Sequence, residues 1–267
     1  MLKSRVLTAA VLLLVLLACL YLLPNAWWQI VLVVPLVVAG HEWSRLAGFS
    51  RATEVAFLGA LLVGYAVIVL LAVSAPAAAL SAVVVRHTVY VLSAAFWLVI
   101  VSCWLWLRVA VKNPLALAAA GLMALLPAWL AVAELQSNPS FLLMLLAVVW
   151  IADTAAYIAG RTFGRHKLAP AISPGKTWEG VAGAFAAVAV YAVIVHFARF
   201  PSGGPYFVIA AFSGMTAFSI VGDLYESWLK RSAGVKDSGV IFPGHGGMLD
   251  RVDGVIAALP LAALMFA

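Results

Sequence analysis

The sequence predicts an all-α, polytopic integral membrane protein with about nine transmembrane helices and a cytoplasmic amino terminus. Three observations predict it. Of 267 residues, 66% are hydrophobic and only 10% charged, against about 45–50% apolar residues in an ordinary soluble domain. The apolar residues fall into windows close to the roughly 20 residues that a membrane-crossing helix needs. Lysine and arginine also crowd the segments that a single threading of those windows leaves on one side.

The windows justify themselves in order. Residues 6–23 follow Lys3 and Arg5 and resemble a signal peptide, but no small-residue cleavage site follows and a second apolar run begins at once, so this is an uncleaved first span. Residues 27–39 are short enough to be either a further span or a re-entrant segment. The windows 55–73, 89–107, 115–133, 141–159, 181–197, 206–222 and 252–267 complete the set. Threaded as nine spans from the cytoplasm, only Arg86 and Arg199 of the 16 Lys and Arg lie outside, as the positive-inside rule asks. If 27–39 is re-entrant the asymmetry weakens slightly, yet both charge-dense segments stay cytoplasmic. The net charge of +6 therefore reflects topology and not nucleic acid binding.

The polar interval 223–251 is too short for a core of its own, so the chain is one helical membrane domain. Its halves differ: residues 1–139 read as scaffold, and residues 140–267 carry both dense polar loops. Cys19 and Cys103 stand alone in apolar spans and read as packing residues. Trp27, Trp28, Trp104, Trp106 and Trp150 lie near span ends, where indole rings anchor. His41, Glu42 and Arg45 read as a solvated turn, and Arg86, His87, Glu134, His196 and Arg199 as span-end groups able to snorkel.

The chemistry gathers in two segments. In GDLYESWLKR (222–231), a helix continued past the membrane puts Asp223, Glu226, Ser227 and Lys230 on one face. Lys236 and Asp237 precede SGVIFPGHGG, whose glycines around His245 suit an anion nest for a phosphate, or simply a tight turn. In LDRVDG, Asp250 and Asp253 share a helix face near the interface, where an unpaired charge at depth costs about 2.5–3.5 kcal/mol. With Asp223 beside them and only Arg251 to neutralise them, Asp223, Asp250 and Asp253 are candidate ligands of a hard cation, magnesium first. Upstream, Asp153 lies at the end of an apolar helix with Tyr157 and Arg161 on the same face. Ser173, Lys176 and Thr177 belong to a small-residue turn suited to phosphate, without the spacing of a Walker A loop. Glu179 opens the next span, where a helix start favours an acid. Acids, cations and glycine turns at one membrane surface fit phosphoryl or nucleotidyl transfer better than covalent acyl chemistry.

The stretch SWLKRSAGVKDSGVIFPGHGGMLDRVD (227–253) resembles the signature of the phosphatidate cytidylyltransferases, also called CDP-diacylglycerol synthases. DTAAY and SPGKTWEG are similar to the same family, with Ala155 where glycine is frequent. The resemblance implies transfer of CMP from CTP to phosphatidate at the cytoplasmic face of a bacterial inner membrane. It implies magnesium, alone or with a second cation, and a homodimer. Placed on this sequence, it implies catalytic roles for Asp223, Lys230, Asp250 and Asp253. Substrate contacts would come from Ser173, Lys176, Thr177, Arg231, Lys236, His245 and Arg251. A CTP-dependent lipid kinase such as a dolichol kinase, or an ion or phosphate transporter, are the alternative readings; a CDP-alcohol phosphotransferase lacks support because DGxxAR is missing.

Overall fold

A computed structural model describes residues 2–73, 80–108, 111–202, 204–242, 244 and 246–266, with side chains from residue 8 onward. His245 and Pro243 of the glycine loop lie outside the described residues, as does the segment 74–79. The helices are α1 (Leu2–Leu22), α2 (Asn25–Val31), α3 (Val33–Leu46), α4 (Arg51–Ala72), α5 (Leu80–Ala95), α6 (Ser102–Leu107), α7 (Pro114–Leu135), α8 (Pro139–Phe163), α9 (Trp178–Arg199), α10 (Tyr206–Ser232) and α11 (Leu249–Phe266). A π-helical stretch, Phe96–Val101, joins α5 to α6.

Helix starts follow local chemistry. Ser50 accepts the Thr53 N–H ahead of α4, Asn113 accepts from Leu115 and Ala116 ahead of Pro114, and Asn138 accepts from Phe141 ahead of Pro139. Each side chain satisfies amides that have no partner within the helix, and proline at the first position loses no bond.

Among the described residues seven helices, not nine, are long and apolar enough to cross a membrane. Two segments account for the difference. The side chains of α1 are described only over Thr8–Leu22, a stretch shorter than the others, and α11 carries Asp250, Arg251 and Asp253 in its opening turns. The segment 27–39 falls inside a 22-residue helical unit, Asn25–Leu46, which is long enough to cross. α5 is already helical at Leu80, nine residues before the apolar window, and Arg86 within it is not left to snorkel. Its guanidinium lies 3.2 Å from Glu134 and donates to the Ala72 carbonyl at 3.0 Å, while Tyr90 donates to Glu134 at 2.7 Å.

The bundle has two chemically different ends. Arg86, Glu134, Asn25 and Gln136 gather at one, where Asn25 donates to Gln136 and to the Ala133 carbonyl. The end of α3, the start of α4, the α8–α9 connection and the α10–α11 connection gather at the other. Both charge-dense segments therefore share one end of the molecule.

An aromatic cluster fixes α10 at that end. Tyr225 is fully buried and its ring lies 5.7–6.5 Å from those of Trp43, Phe96, Trp97, Trp104 and Trp228. Trp43 donates to the Leu117 carbonyl at 3.0 Å and Trp28 to the Val132 carbonyl at 3.0 Å. Trp28 and Trp104 thus serve the interior, whereas Trp27 and Trp106 face outward as anchors would. Cys103 also faces out of the bundle, contrary to a packing role; Cys19 is half-buried.

Tyr225→Ala should destabilise the protein by about 3–5 kcal/mol, the usual cost of deleting a buried aromatic ring. Thermal unfolding in detergent checks this, and Leu70→Ala, on an outward-facing position, should move the transition little.

Candidate active site

The α8–α9 connection is a β-hairpin and not the simple turn its small residues suggest. β1 (Lys167–Ala169) pairs antiparallel with β2 (Ser173–Thr177), with Lys167 opposite Thr177 and Ala169 opposite Ser173. Two side chains tie it to α9. The Thr177 hydroxyl accepts the Gly180 N–H at 3.1 Å, capping the helix, and Glu179 accepts from the His166 backbone N–H and lies 2.6 Å from His166 Nδ1. The acid at the helix start therefore also fastens the hairpin.

α10 runs unbroken for 27 residues, which places Asp223, Glu226, Ser227 and Lys230 on one face as the spacing predicts. α11 crosses α10 closely because both contribute glycine at the contact. A Cβ on Gly254 would stand 2.7 Å from Ser219 Oγ, and one on Gly222 would strike the Asp253 carbonyl. With no side chain between them, the two backbones bring Asp223 and Asp253 to the same surface.

The result is a cavity of about 680 Å³ between α8, the hairpin, α10 and α11. Asp153, Asp223, Asp250 and Asp253 line it, together with Ser173, Lys176 and Thr177 of β2 and with Tyr157 and Arg161 of α8. Lys176 Nζ lies 2.5 Å from Asp223 Oδ2, and Arg161 donates to the Tyr157 hydroxyl at 2.7 Å. Asp153, marked in the sequence by its place at the end of an apolar helix, is a full member of the wall.

Lys230 stands one layer behind. Its ammonium is 2.6 Å from Asp250 Oδ1 and also ion-paired with Glu226, and all three side chains are largely buried. Arg231 donates to the Val235 carbonyl at 3.1 Å, and Lys236 and Arg251 are exposed; none of these four cations lines the cavity.

The glycine loop is also used differently from the phosphate nest considered above. The Gly247 N–H donates to Asp250 Oδ2 at 2.8 Å, and those of Met248 and Leu249 donate to Glu42, each at 2.9 Å. Three consecutive amides thus hold the protein's own carboxylates. Glu42 is no part of a solvated turn: it is 1% exposed and closes on a loop about two hundred residues away. One signal for it was present, since an acid within an apolar helix is functional by default.

Among the described residues, no three His, Cys, Asp or Glu side chains are grouped so as to hold a metal ion by themselves. Carboxylate oxygens are nevertheless in surplus on the cavity wall, where Lys176 is the cation paired with Asp223. This donor set fits magnesium, which usually takes one or two carboxylates and completes its shell with water and substrate phosphates.

Comparison with known proteins shows the family. The pattern of the Cytidylyltransferase family matches residues 3–267. The chain is 38% identical to the phosphatidate cytidylyltransferase of Pseudomonas aeruginosa, an alignment covering 100% of this chain and 98% of that protein. It is 32% identical to the phosphatidate cytidylyltransferase of Haemophilus influenzae, over 100% of this chain and 99% of the relative. A shorter alignment with the Brucella suis phosphatidate cytidylyltransferase reaches 49% over 126 residues, 47% of this chain and 45% of that one. Matched along almost its entire length, and carrying its signature acids on one cavity wall, this chain belongs to the cytidylyltransferase family.

Proposed function

We propose that the protein transfers CMP from CTP to phosphatidate, giving CDP-diacylglycerol and pyrophosphate in phospholipid synthesis. One observation carries the reading: Asp153, Ser173, Lys176, Thr177, Asp250 and Asp253 of the signature segments meet at one cavity at one end of a membrane bundle, in a chain that parallels phosphatidate cytidylyltransferases from end to end. A water-soluble nucleotide and a lipid phosphate can meet there without either leaving its own phase.

In this mechanism a phosphate oxygen of the lipid attacks the α-phosphorus of CTP, the bond from that phosphorus to the bridging oxygen breaks, and pyrophosphate leaves. Such chemistry needs mainly positioning and charge compensation. Lys176, on the rigid β2 strand, reaches the triphosphate by exchanging Asp223 for phosphate oxygens. Ser173 and the backbone of the hairpin seat the nucleotide, while Thr177 fixes the hairpin to α9. Lys230, held between Glu226 and Asp250, keeps the second carboxylate wall ordered. Arg231, Lys236 and Arg251 add positive charge at this end of the molecule and raise the local concentration of anionic substrate. Asp223 and Asp253, with Asp250 beside them, would hold magnesium, with or without a second cation. Bound there, magnesium would neutralise phosphate oxygens and stabilise charge developing in the transition state.

The same reading sets the cavity at the cytoplasmic side, in the inner membrane of a bacterium, with nine spans if α1 and α11 also cross. The homodimer is expected from family resemblance.

Four outcomes test the proposal. Purified protein given phosphatidate, CTP and magnesium should release pyrophosphate and form a CDP-lipid, and should fall silent with ATP in place of CTP or with magnesium chelated. Formation of CDP and a phosphorylated lipid instead would establish a kinase. Asp253→Asn should lower kcat about 100-fold or more while leaving thermal stability near wild type, because removing a charge from a group that acts in the transition state falls on turnover. Lys176→Ala should chiefly raise the KM for CTP, by about 10-fold. Cysteine placed at Gly175, an open position on the hairpin, should react with an impermeant maleimide in inverted membrane vesicles and resist it in intact cells; the reverse pattern contradicts the cytoplasmic assignment.

A further inference from the structure

We propose that Glu42, from the scaffold half of the chain, is a positioning residue that holds the signature loop and, through it, the Asp250–Lys230 pair. The proposal rests on the cytidylyltransferase reading for its catalytic consequence.

The geometry forms one chain of contacts. Glu42 Oε1 accepts the Met248 N–H, and Oε2 accepts the Leu249 N–H together with the Ser238 hydroxyl, all at 2.9 Å. A single carboxylate therefore grips both arms of the loop, at Ser238 and at the start of α11. Ser238 faces a second carboxylate: its hydroxyl lies 2.8 Å from Asp250 Oδ2, which also accepts the Ser238 N–H at 2.8 Å. The hydroxyl has one hydrogen, so it serves one carboxylate at a time, and every other bond is needed to keep the pair apart and ordered. Asp250 then fixes Lys230 through Oδ1 at 2.6 Å.

Burial makes the arrangement selective. With Glu42 only 1% exposed and Ser238 3% exposed, neither can turn to water, and an unmatched partner would be left desolvated. The loop sequence is fitted to this acid. A Cβ on either Gly239 or Gly247 would collide with the Glu42 carboxylate, so glycines that look designed for a ligand make room for Glu42. A residue of the first half thereby sets the position of an acid and a lysine of the second.

The test uses full-length protein in detergent. Glu42→Gln retains the shape but replaces one acceptor oxygen with an amide NH2 that faces a donor. It should lower kcat about 10-fold or more, as losses of supporting contacts do, with KM for CTP within about threefold because the Lys176 strand is untouched. Hydrogen exchange at the amides of Gly247, Met248 and Leu249 should accelerate by about 10-fold or more, with α8 and α9 unchanged. Ser238→Ala approaches the same link from the loop and should reproduce both effects, and it decides the matter if the Glu42 variant does not fold. The double variant should fall little further than either single one. Unchanged exchange at 247–249, or accelerated exchange with unaltered kcat, overturns the proposal. A wild-type protein that does not turn over CTP with phosphatidate would instead defeat the functional reading, and exchange alone would then judge whether Glu42 holds the loop.

Discussion

A carboxylate at the edge of hydrocarbon must be matched by donors or by a cation, and the cavity end of this protein is organised around that requirement. Asp250 meets it most fully, accepting from Lys230, from the Ser238 backbone N–H and from the Gly247 N–H, with the Ser238 hydroxyl alongside. Glu42 meets it with the next two amides. Asp153 and Asp253 meet it less completely, and Asp223 through Lys176 and a long bond from the Ser227 hydroxyl. This gradient divides the acids by task. Asp250 and Glu42, saturated by the protein, hold the loop and the helices in place; Asp153, Asp223 and Asp253 keep spare oxygens on the cavity wall and suit a cation and phosphates.

The scaffold serves that division. The close crossing of α10 and α11 at Gly222 and Gly254 sets the distance between the acid-bearing faces, and the aromatic cluster around Tyr225 prevents α10 from rotating. The π-helical stretch Phe96–Val101 supplies two of those rings where an unbroken α-helix would present them differently. The hairpin brings Lys176 to Asp223 from the opposite wall. Rigid elements, not flexible loops, thus carry most of the cavity surface.

Much of this was legible in the sequence because membrane helices must satisfy their backbone internally and bury few charges. The apolar windows located the helices, and an i, i+3, i+4, i+7 spacing correctly placed Asp223, Glu226, Ser227 and Lys230 on one face of α10. What escaped was long-range pairing. Arg86 read as a span-end group because its acceptor, Glu134, lies on another helix; Glu42 read as solvated because its partners are 196 to 207 residues away. The hairpin escaped for a local reason, since Ser-Pro-Gly favours turns and only pairing with Lys167–Ala169 extends it. Nine apolar windows exceed seven long apolar helices because α11 opens on charged turns and the side chains of α1 are described only from Thr8.

The central claim is that the acids of α8, α10 and α11 and the lysine of β2 form one nucleotide site. Its most direct test is an experimental structure of the protein with CTP and magnesium. The account predicts triphosphate density in the cavity, next to Lys176 and within coordination reach of a cation on Asp223 and Asp253. Nucleotide bound elsewhere, with Lys176 still paired to Asp223 and no density between α10 and α11, would contradict it.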